Sequence, residues 1–245
     1  MTYKIWNPAG NITALVDGLI WDLDERKRVN DAIMAEHPEV EQVGFLSELK
    51  NSSAELLMAG GEFCGNASRC AAMSLLDGHA GELRLTVADG AAEVACGVSE
   101  DGEAWSEIPL DSDKEMRKRL GGAVEVPLLG ITHFLVFEEF PENAKEAAWK
   151  LIQKLDDGRT LSLGVTWVWG NSILPVVWVR AIDSLFLENA CGSGTAALGL
   201  YEKLRAGKDV ALELLQPSGD KIGVQATDET LRIAGTITLS GSFVV

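Results

Sequence analysis

Two stretches decide the fold: EFCGNASRCAAMSLLDGHAG, residues 62–81, and ENACGSGTAALGLYEKLRAG, residues 188–207. Each places a cysteine before a glycine, then a small or polar residue, then an alanine-rich amphipathic run; Cys191 follows Cys64 by 127 residues. A second pair keeps the same order, GNITALV from Gly10 and GITHFLVF from Gly130, 120 residues apart. A third is LRLTVADG ending at Gly90 and ALELLQPSG ending at Gly219, each following one of the two Cys-Gly stretches. Matches kept in order along a chain predict a duplicated fold. The halves are placed at residues 1–114 and 115–245, with the last strand packing back on the first half.

The rest of the chain agrees with a folded α+β protein. It has 245 residues, 47% of them hydrophobic and 24% charged, which is ordinary globular composition. A formal charge of −16 argues against nucleic acid as a partner, because phosphate neutralisation needs a basic stripe. No apolar run is long enough to cross a bilayer and the start lacks a secretion-signal pattern, so no membrane partner is expected and a cytoplasmic location is the expectation. In a reducing compartment, four cysteines are read as core, ligands or reactive thiols rather than as a disulfide framework.

Apolar spacing of three and four predicts helices at 25–36, 65–76, 142–155 and 192–205. Alternation and short apolar runs predict strands at 3–6, 13–16, 43–46, 56–58, 83–87 and 92–98. Further strands are expected at 125–129, 134–137, 166–169, 176–179, 212–215 and 231–245.

A cysteine at a helix start sits among N–H groups that no carbonyl one turn back can satisfy, at the positive end of the helix dipole. Such a position lowers a thiol's pKa and binds an anion such as a carboxylate. Gly65 and Gly192 let a ligand approach the backbone, and Asn66, Ser68, Ser193 and Thr195 are capping residues. Two such starts facing one small carboxylate-bearing molecule would suit inversion of a carbon centre: a thiolate removes a proton and a thiol returns one on the far face. No cofactor is demanded. Zinc is disfavoured, since Cys64 and Cys70 lack close ligand spacing and the histidines stand alone at 37, 79 and 133. GNAS and GSGT match neither phosphate-binding fingerprint. Cys70 and Cys96 read as core. A thiol redox switch, and a binding module without catalysis, remain rivals of another class.

At these residues the chain resembles a family. GGEFCGNASRC and ENACGSGTAA look like the two cysteine motifs of the diaminopimelate epimerase-like, cofactor-independent amino-acid racemases and epimerases. NPAGNITALV, EQVGFL, GITHFLVF, QPSGDKIGVQA and RIAGTITLSG extend the likeness over nearly the whole chain. The resemblance implies two pseudo-symmetric halves, each a sheet wrapped around a central helix, and a free amino acid as substrate. It implies Cys64 and Cys191 as the acid/base pair, with His133 assisting Cys64. Asn11 with the N–H groups of Gly65, Asn66, Gly192 and Ser193 would hold the substrate. No metal or cofactor is implied, and a homodimer is an assembly open to such a protein.

The departures from the family pattern bear on substrate. Met58 stands nearest the position of an Asn ahead of the first cysteine, and Ile131 replaces the Asn of the usual GNPH stretch. A distal ammonium and carboxylate facing Met and Ile would lose several kcal/mol. Diaminopimelate is therefore disfavoured, though it stays the alternative substrate, and histidine racemases are the nearest precedent. The planar or apolar side chain would lie near Met58, Ile131 and Trp167 or Trp169. Glu188 is favoured over Asp183 as the partner of Cys191, and Arg180 is either a carboxylate contact or an exposed strand-end residue.

Overall fold

A computed structural model describes residues 1–110, 116–118 and 122–244, so the boundary expected between residues 114 and 115 lies outside the described residues. Packing of the chain separates two compact units, Met1–Glu107 with Ala234–Val245, and Ile108–Ile233. In chain order the elements are β1 (Thr2–Asn7), β2 (Thr13–Asp17), α1 (Leu23–Glu36), β3 (Gln42–Leu46), β4 (Ser53–Met58), α2 (Gly65–Leu75), β5 (Gly81–Val87), β6 (Ala92–Val98) and β7 (Ala104–Glu107). There follow β8 (Arg117–Lys118), β9 (Val124–Leu128), β10 (Ile131–Val136), α3 (Ala144–Leu155), β11 (Ser162–Trp169), β12 (Ser172–Val179), a 3-10 turn (Arg180–Ile182) and β13 (Ser184–Leu187). The chain closes with α4 (Gly192–Ala206), β14 (Val210–Leu215), β15 (Lys221–Ala226), β16 (Leu231–Gly235) and β17 (Thr238–Val244). The fold is α+β.

In the first unit β1 pairs antiparallel with β2 and with β17. β2 then runs parallel to β3 with α1 as the crossover, and β3 turns back antiparallel into β4. β4 runs parallel to β5 with α2 as the crossover, and β5, β6 and β7 continue antiparallel. The second unit repeats that order. β9 and β10 are antiparallel, β10 and β11 parallel across α3, β11 and β12 antiparallel, and β12 meets β14 in parallel after α4. The residues aligned by the repeat occupy matching elements: the GNITALV and GITHFLVF segments form β2 and β10, and both Cys-Gly stretches open the second helix of their unit.

The two kinds of helix are built differently. α1 starts on an Asp22 cap whose carboxylate accepts from the Glu25 N–H, and buries Val29 and Ile33 against Val16, Val43 and Phe45. α3 starts on Asn143 and buries Ala144, Ala148 and Ile152 against Phe134, Val165, Val176 and Trp178. Both lie along one face of a sheet, as one-sided apolar stripes require. α2 and α4 are enclosed instead. α2 touches β2, β3, β5, β6 and β7, and α4 touches β9, β10, β12, β14 and β15. Enclosure demands small residues: Ala67, Ala71, Ala72, Ala196 and Ala197 are fully buried, and a Cβ on Gly199 would lie 2.5 Å from Val224 Cγ2. Each unit is thus a sheet folded around one helix that begins at a cysteine.

The stretch expected as one strand at 231–245 is two, β16 and β17, interrupted at 236–237. The strands β7, β8, β13 and β15 lie outside the expected set; the first three have four residues or fewer, and β15 has six.

Candidate active site

Cys64 and Cys191 are the N-cap residues of α2 and α4, with nearly the same backbone conformation, φ −132 and ψ 112 against φ −126 and ψ 104. In each case the sulfur takes the capping role usually filled by an oxygen: Cys64 Sγ accepts from the Ala67 N–H at 3.3 Å and Cys191 Sγ from the Gly194 N–H at 3.2 Å. Gly65, Asn66, Gly192 and Ser193 are therefore the first two residues of their helices, the positions whose N–H groups have no intrahelical acceptor.

In the first unit Cys64 is 9% exposed, and its Sγ–H donates to Gln42 Oε1 at the start of β3. Asn66 and Asn11 are buried and joined: Asn66 Nδ2 donates to Asn11 Oδ1 at 3.0 Å, and Asn11 Nδ2 donates to Glu41 Oε2 at 2.6 Å. Arg69, one turn into α2, is fully buried and donates from Nη2 to Asn66 Oδ1 at 2.7 Å. The expected residues Cys64, Gly65, Asn66 and Asn11 thus come together, and Gln42, Glu41 and Arg69 join them. Cys70 and Cys96 are fully buried; burial pushes both thiols up, Cys96 to about 12. They are inert packing.

In the second unit Cys191 is 1% exposed. Burial pushes its thiol well above the ordinary range, and Glu188 adds to this both by its charge and by a hydrogen bond to the thiol, against smaller opposing contributions from Ser193 and the Gly194 N–H. Glu188 is itself buried. Asp183 is exposed, in a left-handed conformation, and accepts from Trp178 Nε1. Of the two carboxylates left open by the sequence, Glu188 is the one on the thiol. Gln216 fixes the entrance to α4: Oε1 accepts from the Cys191 N–H at 2.9 Å while Nε2 donates to Thr195 Oγ1 and the Leu214 carbonyl.

His133, on β10, is fully buried, and burial pushes its pKa down to about 3, so the ring is neutral. Its Nε2 lies 2.9 Å from Ser193 Oγ and its Nδ1 3.1 Å from Thr166 Oγ1. Ser193 Oγ is in turn 3.5 Å from Cys191 Sγ. Both ring nitrogens of His133 are thus engaged within its own unit, by Ser193 and Thr166. Gly164, the cross-strand partner of His133, has a Cβ position only 2.3 Å from His133 Nδ1, so the imidazole occupies the space a side chain would need.

The other expectations resolve individually. Arg180 is tied to Asp156 at 2.6 Å, to the Thr160 carbonyl and to the Trp178 ring, which makes it a structural clamp. Met58 and Ile131 are buried; Trp167 belongs to the core under α3, and Trp169 is exposed beside the β11–β12 turn. Among the described residues no three His, Cys, Asp or Glu side chains gather as a metal site, and no helix is long and apolar enough to cross a membrane.

A family model, the histidine racemase CntK N-terminal domain, matches residues 1–244. The chain belongs to the histidine racemase CntK family. A histidine racemase of Fusobacterium nucleatum subsp. nucleatum is 32% identical over 237 residues, covering 87% of this chain and 85% of the relative. A diaminopimelate epimerase of Sphingopyxis alaskensis is 31% identical over 198 residues, covering 72% and 69%. The crystal structure of a hydroxyproline epimerase from Agrobacterium vitis superposes with a TM-score of 0.69 at 14% identity, covering 99% of this chain and 91% of that one, a likeness of fold. As a member of the family, this chain is an isomerase, an amino-acid racemase.

Proposed function

We propose that this racemase interconverts the enantiomers of free histidine with two cysteines and without pyridoxal phosphate or a metal. The observation that carries the reading is the pair of cysteine N-caps. A thiol there has a backbone N–H on its sulfur, and the first turn of the same helix offers N–H groups to a carboxylate. Inversion needs one group to take the α-proton and a second to return one to the other face of the flattened carbon. Cys64 and Cys191 are assigned those two steps.

Negative charge that develops toward the substrate carboxylate is met by the N–H groups of Gly65, Asn66, Gly192 and Ser193, which need no reorganisation as the charge grows. Asn11 orients the substrate beside Asn66. Glu188 keeps Cys191 protonated and accepts its proton when the direction reverses. His133, neutral and immobile, aims the Ser193 hydroxyl. Histidine is favoured by the family and by Met58 and Ile131, apolar side chains that offer nothing to the distal head group of diaminopimelate. A cytoplasmic setting suits four cysteines that form no disulfide, and sedimentation distinguishes a monomer from a homodimer.

The test is α-hydrogen exchange in D2O, followed by proton NMR, with metal-stripped protein and single amino acids. Deuterium enters L-histidine with loss of optical rotation, and Cys64→Ala and Cys191→Ala each abolish racemisation. Exchange into diaminopimelate but not histidine overturns the substrate; no exchange with any amino acid overturns the reading.

A further inference from the structure

The connection that leads into Cys64, residues 59–63, carries adjacent glycines at 60 and 61, a sequence with much backbone freedom to lose. What fixes it comes from α1. Arg26 is among the buried residues of that helix, its side chain only 4% exposed. Its Nη1 donates to the Met58 carbonyl at 2.8 Å and to Asp89 Oδ1 at 2.7 Å, while Nη2 donates to Asp89 Oδ2 at 2.8 Å. One planar guanidinium thus joins the outer helix, the last residue of β4 and the turn between β5 and β6, a tie that a point cation cannot make.

The loop is folded against that tie. The Met58 carbonyl also accepts from the Gly61 N–H at 3.0 Å, so one oxygen closes the turn and receives the arginine. Gly61 has φ +78, and a Cβ there would stand 2.8 Å from Asp89 Oδ2: the chain passes directly beside the carboxylate that Arg26 holds. Ala88 and Asp89 are themselves left-handed, at φ 53 and 50, a conformation that residues with a Cβ rarely adopt and that the fork to Arg26 holds in place. Glu62 feels the same pair: burial pushes its carboxyl up, against a main-chain hydrogen bond at Glu62 itself and the charge of Arg26. Two residues later comes Cys64.

The second unit staples the corresponding junction by different means. There Arg180, just after β12, donates to Asp156 at the end of α3 and to the Thr160 carbonyl. The arginine has changed sides, from helix to strand end, yet the joint between the outer helix and the strand ahead of the cysteine helix is again held by an arginine, an aspartate and a carbonyl. Arg180 is 34% exposed and stands eleven residues before its cysteine, whereas the carbonyl that the buried Arg26 holds is only six residues before Cys64. The buried tie is the less screened of the two and the nearer to its thiol.

We propose that Arg26 is a positioning residue for Cys64: by holding the Met58 carbonyl and the Asp89 turn, it sets where the Cys64 sulfur stands at the head of α2. The first turn of α2 has its own support, since Asn66 is fixed by Arg69 and Asn11. This rests on the reading of Cys64 as an acid/base residue, and it places the loss in turnover rather than in substrate binding.

Arg26→Met keeps an apolar stem and removes all three bonds. With L-histidine, kcat falls at least about tenfold while KM stays within about threefold. Iodoacetamide alkylation at pH 8, followed peptide by peptide by mass spectrometry, moves the opposite way at one thiol: Cys64, loosened at its cap, reacts at least about threefold faster while Cys191 keeps its rate. A general loss of stability would speed both. Arg26→Lys, which keeps the charge without the fork, recovers part of kcat. Unchanged kcat, a KM that rises by as much as kcat falls, or equal acceleration of both cysteines overturns the proposal. If Arg26→Met does not fold, Arg26→Lys decides alone: a fall in kcat of at least about threefold with Cys64 alone accelerated supports the tie, and the absence of either overturns it. Should the wild type racemise no amino acid, the proposed function fails, and the alkylation of Cys64 in the variant, selectively faster or not, still decides this inference.

Discussion

Replacing Gly164 by alanine puts a methyl group where the structure has an imidazole. The new Cβ would stand 2.3 Å from His133 Nδ1, 2.4 Å from Cε1 and 3.1 Å from Cγ. Carbon contacts settle at about 3.5–4.0 Å, so the ring must withdraw by roughly 1 Å or more. It cannot do so while keeping both the 2.9 Å bond to Ser193 and the 3.1 Å bond to Thr166. Overpacking costs about 1–3 kcal/mol, and a buried group left unsatisfied about 1–3 kcal/mol more. For a chain of this length each kcal/mol lowers Tm by about 2–4 °C, so a fall of roughly 5–20 °C is expected. Thermal unfolding by circular dichroism measures the first effect. Chiral chromatography of L-histidine turnovers measures the second, a drop in kcat/KM of at least about tenfold as Ser193 loses its fixed partner. The double variant Gly164→Ala with His133→Ala isolates the cause: with the ring gone, the methyl group should cost at least about 1 kcal/mol less than in the wild-type background. A Tm within about 2 °C of wild type, or strict additivity in the double variant, would refute the packing argument.

Three further outcomes follow from the same geometry. His133 titrates in the folded chain at about 3, well below its ordinary value, so between the two the unfolded chain binds the extra proton and stability is lost as pH falls; urea titrations should show about 2 kcal/mol less stability at pH 5 than at pH 7, a difference absent in His133→Gln. Glu188→Gln removes the charge that helps push the Cys191 thiol up, so Cys191 should alkylate several-fold faster at pH 8 while racemisation falls, because an amide cannot take up the Cys191 proton. Gln216→Ala strips an acceptor from the Cys191 N–H and a donor from Thr195, and should cost about 1–3 kcal/mol in denaturant midpoint with KM rising more than kcat falls.

Much of this architecture is written in local pattern. The second helices announce themselves because enclosure forces alanine and glycine into a row after each cysteine, and the repeat made Cys191 visible from Cys64. Short strands were harder. The Ala104–Glu107 strand is buried at three of four positions and so shows no alternation. Lys221–Ala226 does alternate, with Ile222, Val224 and Ala226 inward, and a stricter period-two reading would have found it. The polar supports Gln42, Thr166 and Gln216 are single residues with no spacing rule to mark them; only tertiary pairing shows what they hold. The choice between Glu188 and Asp183 depended on how the chain turns after Val179, which no periodicity encodes. Arg26 reads as a polar position on an amphipathic helix, and no spacing shows that it turns inward to Asp89 and the Met58 carbonyl.

Sulfur is a weaker cap than oxygen, and both helices begin on it. Serine at either position would hold the helix start at least as well, by up to about 1 kcal/mol. If the two cysteines act as proposed, losing the reactive group therefore carries no folding penalty, and a duplicate gene copy drifting toward serine would yield a well-folded receptor for an amino acid that no longer turns it over. Descent from catalyst to sensor is open to this scaffold by a single atom's exchange, while the reverse step must be won against a small loss of helix stability.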